Sequence, residues 1–457
     1  MIGIKFYPKE YKALTKLGLP IVIAQIGFTL QGLADTLMVG QHSAPELAAA
    51  GFVNSFMMLA ILLSMGFGQG AVSQIGALYA QGKKQDVVSV LKSSVCADFL
   101  QGLLITFLVV GAYFVLPYTG QDPELLPLMQ RYYLILLPSL PILATSTAFK
   151  TFCDAINYTR TSMWILLVGN VWNVLFNWLF IYGRPELGIP EMGIDGAAWA
   201  TSSSRVLMLA LFVIVFFRAK HLKPYSQLWR ATRLRKSIMI RLNKLGWPIA
   251  TQMIIENAAW CGMALMLGVG GTSWDALTAL SAHQVMVQVS SLIYMFYLGI
   301  GAAVAVRVSN YNGLNDIHGV RQAANAGYQM SLCIGIISST LAFIFRYDVS
   351  ELFISADDPH TLARVNEIVA MMAYPLIAYQ IGDGLQTIYV NALRGYGDVK
   401  VLMKYSVLAY LCISIPLSLL FCFPMDGGAP GIWWGFPFGL TTAAILYLRR
   451  FRKITTI

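Results

Sequence analysis

Runs of about twenty apolar residues recur from one end of this chain to the other, and a soluble core has no place for them. One is 17-LGLPIVIAQIGFTLQGLADTLMVG-40 and another is 372-MAYPLIAYQIGDGLQTIYVNAL-393. Coiled at about 1.5 Å per residue, each is long enough to cross about 30 Å of hydrocarbon as a helix. Twelve such runs lie between residues 17 and 448. Only 12% of the residues are charged, far below the share usual in a soluble chain. The expectation is an all-α membrane protein with twelve transmembrane helices. The first run is too long and, with Asp35, too polar for a cleaved signal.

Charge sets the orientation. Nine basic residues and no acids fall between Arg218 and Lys244. Lys5, Lys9, Lys12 and Lys16 precede the first run, and Arg449, Arg450, Arg452 and Lys453 close the chain. An even number of spans in each half puts these three segments on one side. The positive-inside rule makes that side cytoplasmic, with both termini inside and the chain multi-pass in the inner (plasma) membrane. The opposite loops lean acidic, with Glu186, Glu191, Asp195, Asp348, Glu351, Asp357 and Asp358. The basic segment reads as topology and contact with anionic membrane lipids. No aromatic-basic platform accompanies it, so nucleic acid is not an expected partner. The six cysteines show no CxxC spacing and read as core packing. No P-loop, no HExxH and no intramembrane aspartate pair is present, so neither an ATPase nor another enzyme is expected, and no cofactor.

The chain repeats itself. Residues 17-LGLPI-21 recur as 245-LGWPI-249 and 37-LMVG-40 as 265-LMLG-268, both at an offset of 228. Then 68-GQGA-71 matches 299-GIGA-302, Gly82 matches Gly313, and 158-YTRTSM-163 echoes 398-DVKVLM-403. The halves are an N-terminal six-helix lobe (1–217) and a C-terminal six-helix lobe (245–457), joined by a basic cytoplasmic linker (218–244). Two pseudo-symmetric bundles of like orientation suit a cavity that opens alternately to either side, and hence transport. Two fused halves also remove the need for a dimer, so a monomer is expected.

Ionisable residues inside spans are costly, and function is their first explanation. Asp35, Glu256 and Asp383 stand out. Gln252 and Trp260 lie one turn either side of Glu256, and Tyr379 lies one turn before Asp383. Two carboxylates with a phenol nearby can bind a hard cation such as Na+ through oxygen, or hold a proton reversibly. Asn173 and Asn177, four apart, put two amides on one face, where they line a cavity or join helices. Gln284 is a further candidate for a cavity wall. His283, beside it, reads as a helix contact. Asp98 has no partner by spacing, and Arg205 suits a carboxylate or a helix end. Arg307 and Arg394 sit at expected cytoplasmic helix ends, where snorkelling or loop contacts are expected. The strong intramembrane charges are mostly acidic, which favours cationic cargo. Small organic substrates are the expected partners.

The run 282-AHQVMVQVSSLIYMFYLGIGAAVAVRVSNYNG-313 resembles the multidrug and toxic compound extrusion (MATE) family, of the MOP superfamily. So do 393-LRGYGD-398, 192-MGIDGAAWATSSSR-205 and 34-ADTLMVG-40, in order along the whole chain. The resemblance implies two six-helix lobes around a V-shaped cavity, and multidrug efflux driven by inward Na+ or H+. The branch looks NorM-like, and the second-lobe cation site of that branch maps onto Glu256, Tyr379 and Asp383. The first-lobe aspartate maps onto Asp35, and the span 5 asparagines onto Asn173 and Asn177. The aspartate that another branch carries in span 5 is missing here, which weakens a proton site held wholly in the first lobe. A flippase for lipid-linked oligosaccharides or lipids, of the same superfamily, is the alternative.

Overall fold

The computed structural model describes residues 5–118, 122–268, 275–349 and 359–456. Among them the regular elements are helices, and one isolated bridge joins Arg184 to Ile189. In chain order the first long helices are α1 (Pro8–His42), α2 (Ala44–Ala80), α3 (Lys84–Val115) and α4, bent by 40° between its halves Leu126–Leu136 and Ser139–Ala155. Then come α5 (Thr159–Ile181), α6 (Gly193–Arg218), α7 (Lys236–Gly268) and α8 (Ala276–Gly313). The last four are α9 (Ile317–Ile344), α10 (Pro359–Tyr396), α11 (Lys400–Cys422) and α12 (Gly428–Thr455). Ten of these helices are long and apolar enough to span a bilayer, and α4 makes an eleventh when its halves are joined. Pro138 explains the bend, because a proline lacks the N–H that a continuous helix would use there. The twelfth, α7, has the length but carries Gln252, Glu256 and Asn257 in its middle. The chain is a multi-pass membrane protein. Side chains such as Phe107, Trp164 and Leu175 stand exposed on helix surfaces, as lipid contact requires. Of the acidic outer-loop residues, Glu351, Asp357 and Asp358 lie outside the described residues.

The chain divides into two compact units, Ile23–Ala250, and Met1–Val22 with Thr251–Ile457. Both cuts fall inside a helix, α1 and α7. Within Ile23–Ala250, α5 packs on α6 and α3 on the second half of α4. Phe152 meets Phe216 at 5.8 Å and Tyr225 at 5.5 Å, both edge-on. Tyr225 and Leu222 are buried, so the basic segment after α6 is anchored by apolar contacts of its own. The start of α7 crosses α2 at a glycine pair: a Cβ on Gly70 would lie 2.8 Å from the Gly246 backbone nitrogen. Small residues at such crossings let two backbones approach.

Within the other unit, α8 packs on α10 and α10 on α12. The start of α1 crosses α8 at Gly18, where a Cβ would lie 3.0 Å from the Gly299 carbonyl oxygen. The repeated segments therefore pair alike: 17-LGLPI-21 with 299-GIGA-302, and 245-LGWPI-249 with 68-GQGA-71. About two turns before this crossing Glu10, only 4% exposed, accepts from Arg307 at 2.7 and 3.0 Å and from the Tyr311 hydroxyl at 2.5 Å. Arg307 thus does not snorkel as its helix-end position suggests. A carboxylate on the neighbouring helix end offers it two charged hydrogen bonds, which hydration would have to match. Arg307→Gln leaves that carboxylate buried and half-paired. Its expected cost is about 2–4 kcal/mol, read as a lower melting temperature in detergent, with Glu10→Gln/Arg307→Gln together recovering part of the loss.

Candidate functional site: two carboxylate clusters

In the C-terminal half, α7 and α10 run antiparallel and exchange side chains along their length. Glu256 Oε1 accepts from Gln386 Nε2 at 2.8 Å. One turn earlier on α7, Gln252 Oε1 accepts from Arg394. One turn later Trp260 meets the Tyr379 ring at 6.2 Å. Asp383, 8% exposed, lies within electrostatic reach of Glu256 and is hydrogen-bonded by the Thr387 side chain one turn on. The same Gln386 amide nitrogen donates to the Tyr410 hydroxyl at 2.7 Å, and that hydroxyl is 3.0 Å from Gln386 Oε1. Tyr410 belongs to a π-helical segment, Val407–Ser414, within α11. Extra residues of this kind inside a helix recur at functional sites, because they re-aim a side chain that a regular helix would turn away. Tyr294 of α8, 37% exposed, also faces both carboxylates electrostatically. The result is a cluster of carboxylate, phenol and amide oxygens on four helices, a donor set suited to a hard cation or a shared proton.

An aromatic wall closes one side. Trp260 stacks on Phe436 at 3.7 Å, and Trp433 and Tyr379 join them. The Tyr379 hydroxyl is engaged by Ser290 Oγ at 2.5 Å, so the phenol is fixed to α8 as well as placed one turn from Asp383. Trp433 Nε1 donates to His283 Nδ1 at 3.1 Å, which makes His283 the helix contact its isolation suggested. Gln284, next in the chain, is exposed and is not brought to the carboxylates. Arg394 does not snorkel: it is 5% exposed and bonded to Gln252, with Glu256 in electrostatic reach. Buried polar oxygens on α7 hold it there against the pull of the interface.

In the N-terminal half, Asn177 Nδ2 donates to Asp35 Oδ1, and Gln31 also bonds that carboxylate. Asn177 Nδ2 lies 3.4 Å from Asn173 Oδ1, and Asn173 Nδ2 donates to Thr201 Oγ1 at 3.2 Å. This polar strip joins α1, α5 and α6. One turn past Thr201, Arg205 donates to Ser139 Oγ at 2.6 Å and faces Asp35 electrostatically. Asp98 is buried on α3, and Ser94 Oγ donates to it at 3.4 Å, apart from this strip. Each half therefore couples one intramembrane carboxylate to one arginine: Asp35 with Arg205, and Glu256 with Arg394.

Sequence spacing finds Glu256, Asp383 and Tyr379. It misses Gln386, Thr387 and Tyr410. Gln386 and Thr387 lie three and four residues past Asp383 on its own helical face, and that spacing is a usable signal. Tyr410 and Tyr294 come from other helices, and no local pattern points to them.

The MatE family model matches residues 20–179 and 248–420, one match in each half. The chain is 30% identical over 444 residues to Multidrug resistance protein NorM of Aliivibrio fischeri, covering 96% of this chain and 94% of that one. It is 28% identical over 452 residues to Multidrug resistance protein MdtK of Pectobacterium atrosepticum, covering 98% and 96%. Among solved structures, a MATE protein crystallised in complex with MaL6 superposes with a TM-score of 0.88 at 20% identity, covering 98% of this chain and 96% of that one.

Proposed function

The chain belongs to the MATE family, and from that membership we propose that it is a multidrug efflux transporter, a secondary antiporter that exports amphipathic organic compounds against inward Na+ or H+. The observation that carries the coupling is the pair Glu256 and Asp383, two carboxylates in electrostatic reach of each other inside membrane-spanning helices. Two like charges so placed repel unless a cation or a proton joins them. Occupancy by the driving ion therefore favours one conformation and its absence another, and alternating access follows from that difference. Asp35, with Asn173 and Asn177, is a second titratable site in the N-terminal half. The chain sits in the inner membrane with both termini cytoplasmic, on the evidence of its basic segments.

The test is efflux of ethidium, an amphipathic cation, from proteoliposomes under a Na+ gradient or a pH gradient imposed separately. Export driven by either gradient supports the proposal. Export under neither, with scrambling of a lipid-linked sugar instead, gives the protein to the flippase class.

Tyr410→Phe removes the hydroxyl that accepts from and donates to the Gln386 amide, both neutral contacts, and keeps the ring. A loss of about 1 kcal/mol is expected, or roughly a five-fold higher ion concentration for half-maximal efflux, with the maximal rate little changed. An unchanged ion dependence would remove Tyr410 from the site.

A further inference from the structure

The unit formed by Met1–Val22 and Thr251–Ile457 contains a second polar cavity, of about 290 Å³, that the carboxylate clusters do not explain. It lies where the chain enters α1, against α9, α10 and α12, at the end that carries both basic termini. Its polar wall includes the phenols Tyr7, Tyr328 and Tyr389, with Asn325 and Arg452. Leu385 and Leu448 supply an apolar wall. Among the described residues that line it none is acidic, and none belongs to the basic segment between Arg218 and Lys244.

The walls are fixed by their own contacts. Tyr389 is buried, its ring meets Phe451 at 5.3 Å and Tyr328 at 6.5 Å, and its hydroxyl donates to Asn325 Oδ1 at 3.2 Å. With Oδ1 engaged, Asn325 keeps its amide N–H groups to offer as donors. Gln329 Oε1 accepts from the Tyr11 hydroxyl at 2.5 Å, and Gln329 Nε2 donates to the Lys5 carbonyl at 3.1 Å. These bonds tie the segment that carries Tyr7 to α9. The arginines at this end differ in what they do. Arg307 pairs with Glu10, Arg450 with Asp398, and Arg321 donates to the Thr455 carbonyl. Arg452 makes no ion pair among the described residues, and it faces Tyr389 electrostatically. A cation surrounded by hydroxyl and amide donors, with no carboxylate, calls for an anion with several acceptor oxygens. Phosphate is such an anion: the guanidinium fork takes two oxygens, and phenol and amide donors reach the others. Leu385 and Leu448 favour a phosphate carried on acyl chains, and basic pockets between spans at the cytoplasmic surface hold lipid head groups in this way.

We propose that this cavity binds the phosphate group of an anionic ligand, held on Arg452 with the Tyr328 hydroxyl and the Asn325 amide as further donors. An anionic phospholipid of the adjoining leaflet is the source its apolar wall favours, and a soluble phosphate ester is the other. The site does not depend on the efflux reading.

The experiment uses the full chain in dodecyl maltoside and two probes, dioctanoyl phosphatidate and dioctanoylglycerol, which differ in the phosphate alone. Bound probe is counted by native mass spectrometry over a concentration series. The wild type is expected to bind the phosphatidate about 10-fold tighter than the diacylglycerol, the gain of one bidentate charged contact. Arg452→Gln is expected to erase that ratio. Arg449→Gln, which removes an exposed charge from the same helix outside the cavity, is expected to keep it. Equal binding of the two probes by the wild type overturns the proposal, and so does an Arg452→Gln protein that keeps the preference. Equal losses in Arg452→Gln and Arg449→Gln would mean a diffuse basic surface and overturn it as well. Arg452 is exposed, so its substitution is expected to leave the melting temperature within a few degrees of the wild type. If that protein does not fold, Tyr328→Phe takes its place: about 5-fold weaker phosphatidate binding is expected, with the diacylglycerol unaffected, and unchanged binding there counts against the site. Glycerol 3-phosphate, added as a competitor, separates the two sources. Displacement at concentrations equal to the phosphatidate supports the phosphate site and assigns it to soluble esters, while no displacement supports it and assigns it to the lipid.

Discussion

Glu256→Gln is expected to abolish gradient-driven ethidium efflux and to leave the protein folded. Glutamine keeps the shape of glutamate, and its side-chain oxygen still accepts from Gln386 Nε2, which bonds the carboxylate at 2.8 Å in the native chain. What it removes is the charge that attracts the driving ion and repels Asp383. A hydrogen bond or contact to a charged group is worth about 1.5–3 kcal/mol, so ion affinity should fall roughly 10- to 100-fold. The Arg394 guanidinium nearby makes the change larger in function than in stability. With Glu256 neutral, the resident positive charge is left facing the site, and a second cation is disfavoured there. The readouts are efflux against ion concentration and the melting temperature. Lost efflux with a melting temperature within a few degrees of wild type fits this account. Full efflux in Glu256→Gln would remove the residue from the coupling site.

Gly70→Leu should do the opposite: damage the fold without touching a charge. A Cβ at Gly70 already falls 2.8 Å from the Gly246 backbone nitrogen, and backbone cannot swing aside as a flexible side chain can. Leucine adds three more carbons to that gap. Overpacking a tight site costs about 1–3 kcal/mol when neighbours can adjust; here α2 and α7 must separate, so at least the top of that range is expected. The measurement is the yield of monodisperse protein and its melting temperature. Gly51→Ala is the control, because a Cβ there meets nothing within 4 Å. It should behave as wild type. A Gly70→Leu protein that melts with the control would mean that the two helices do not depend on this close approach.

Much of the architecture is legible in the sequence because bilayer thickness fixes the length of apolar runs. The repeat is legible too, since Gly18 and Gly246 occupy matching positions in 17-LGLPI-21 and 245-LGWPI-249. Helix identity is harder at α7, whose Gln252, Glu256 and Asn257 lower its apolar character for the sake of the site. The bend in α4 follows from Pro138, but its angle depends on packing. At the site, Asp383 and Glu256 can be found because carboxylates are rare in spans. Arg394 misleads: its place near a helix end suggests the interface, yet Gln252 on a different helix draws it inward. Tyr410 depends on a π-helical segment of α11, and no periodicity in Val407–Ser414 announces it.

The central claim is that Glu256 and Asp383 exchange the driving ion as substrate moves. It can be tested in reverse. Proteoliposomes are given an outward-directed ethidium gradient with no ion gradient, and the ion flux it drives is recorded, with 22Na+ for sodium and an internal pH dye for protons. In the wild type, ethidium leaving is expected to pull one of these ions inward, and Asp383→Asn is expected to stop that ion flux. If Asp383→Asn moves the ion as the wild type does, the carboxylate pair is not where transport is coupled, and the account fails.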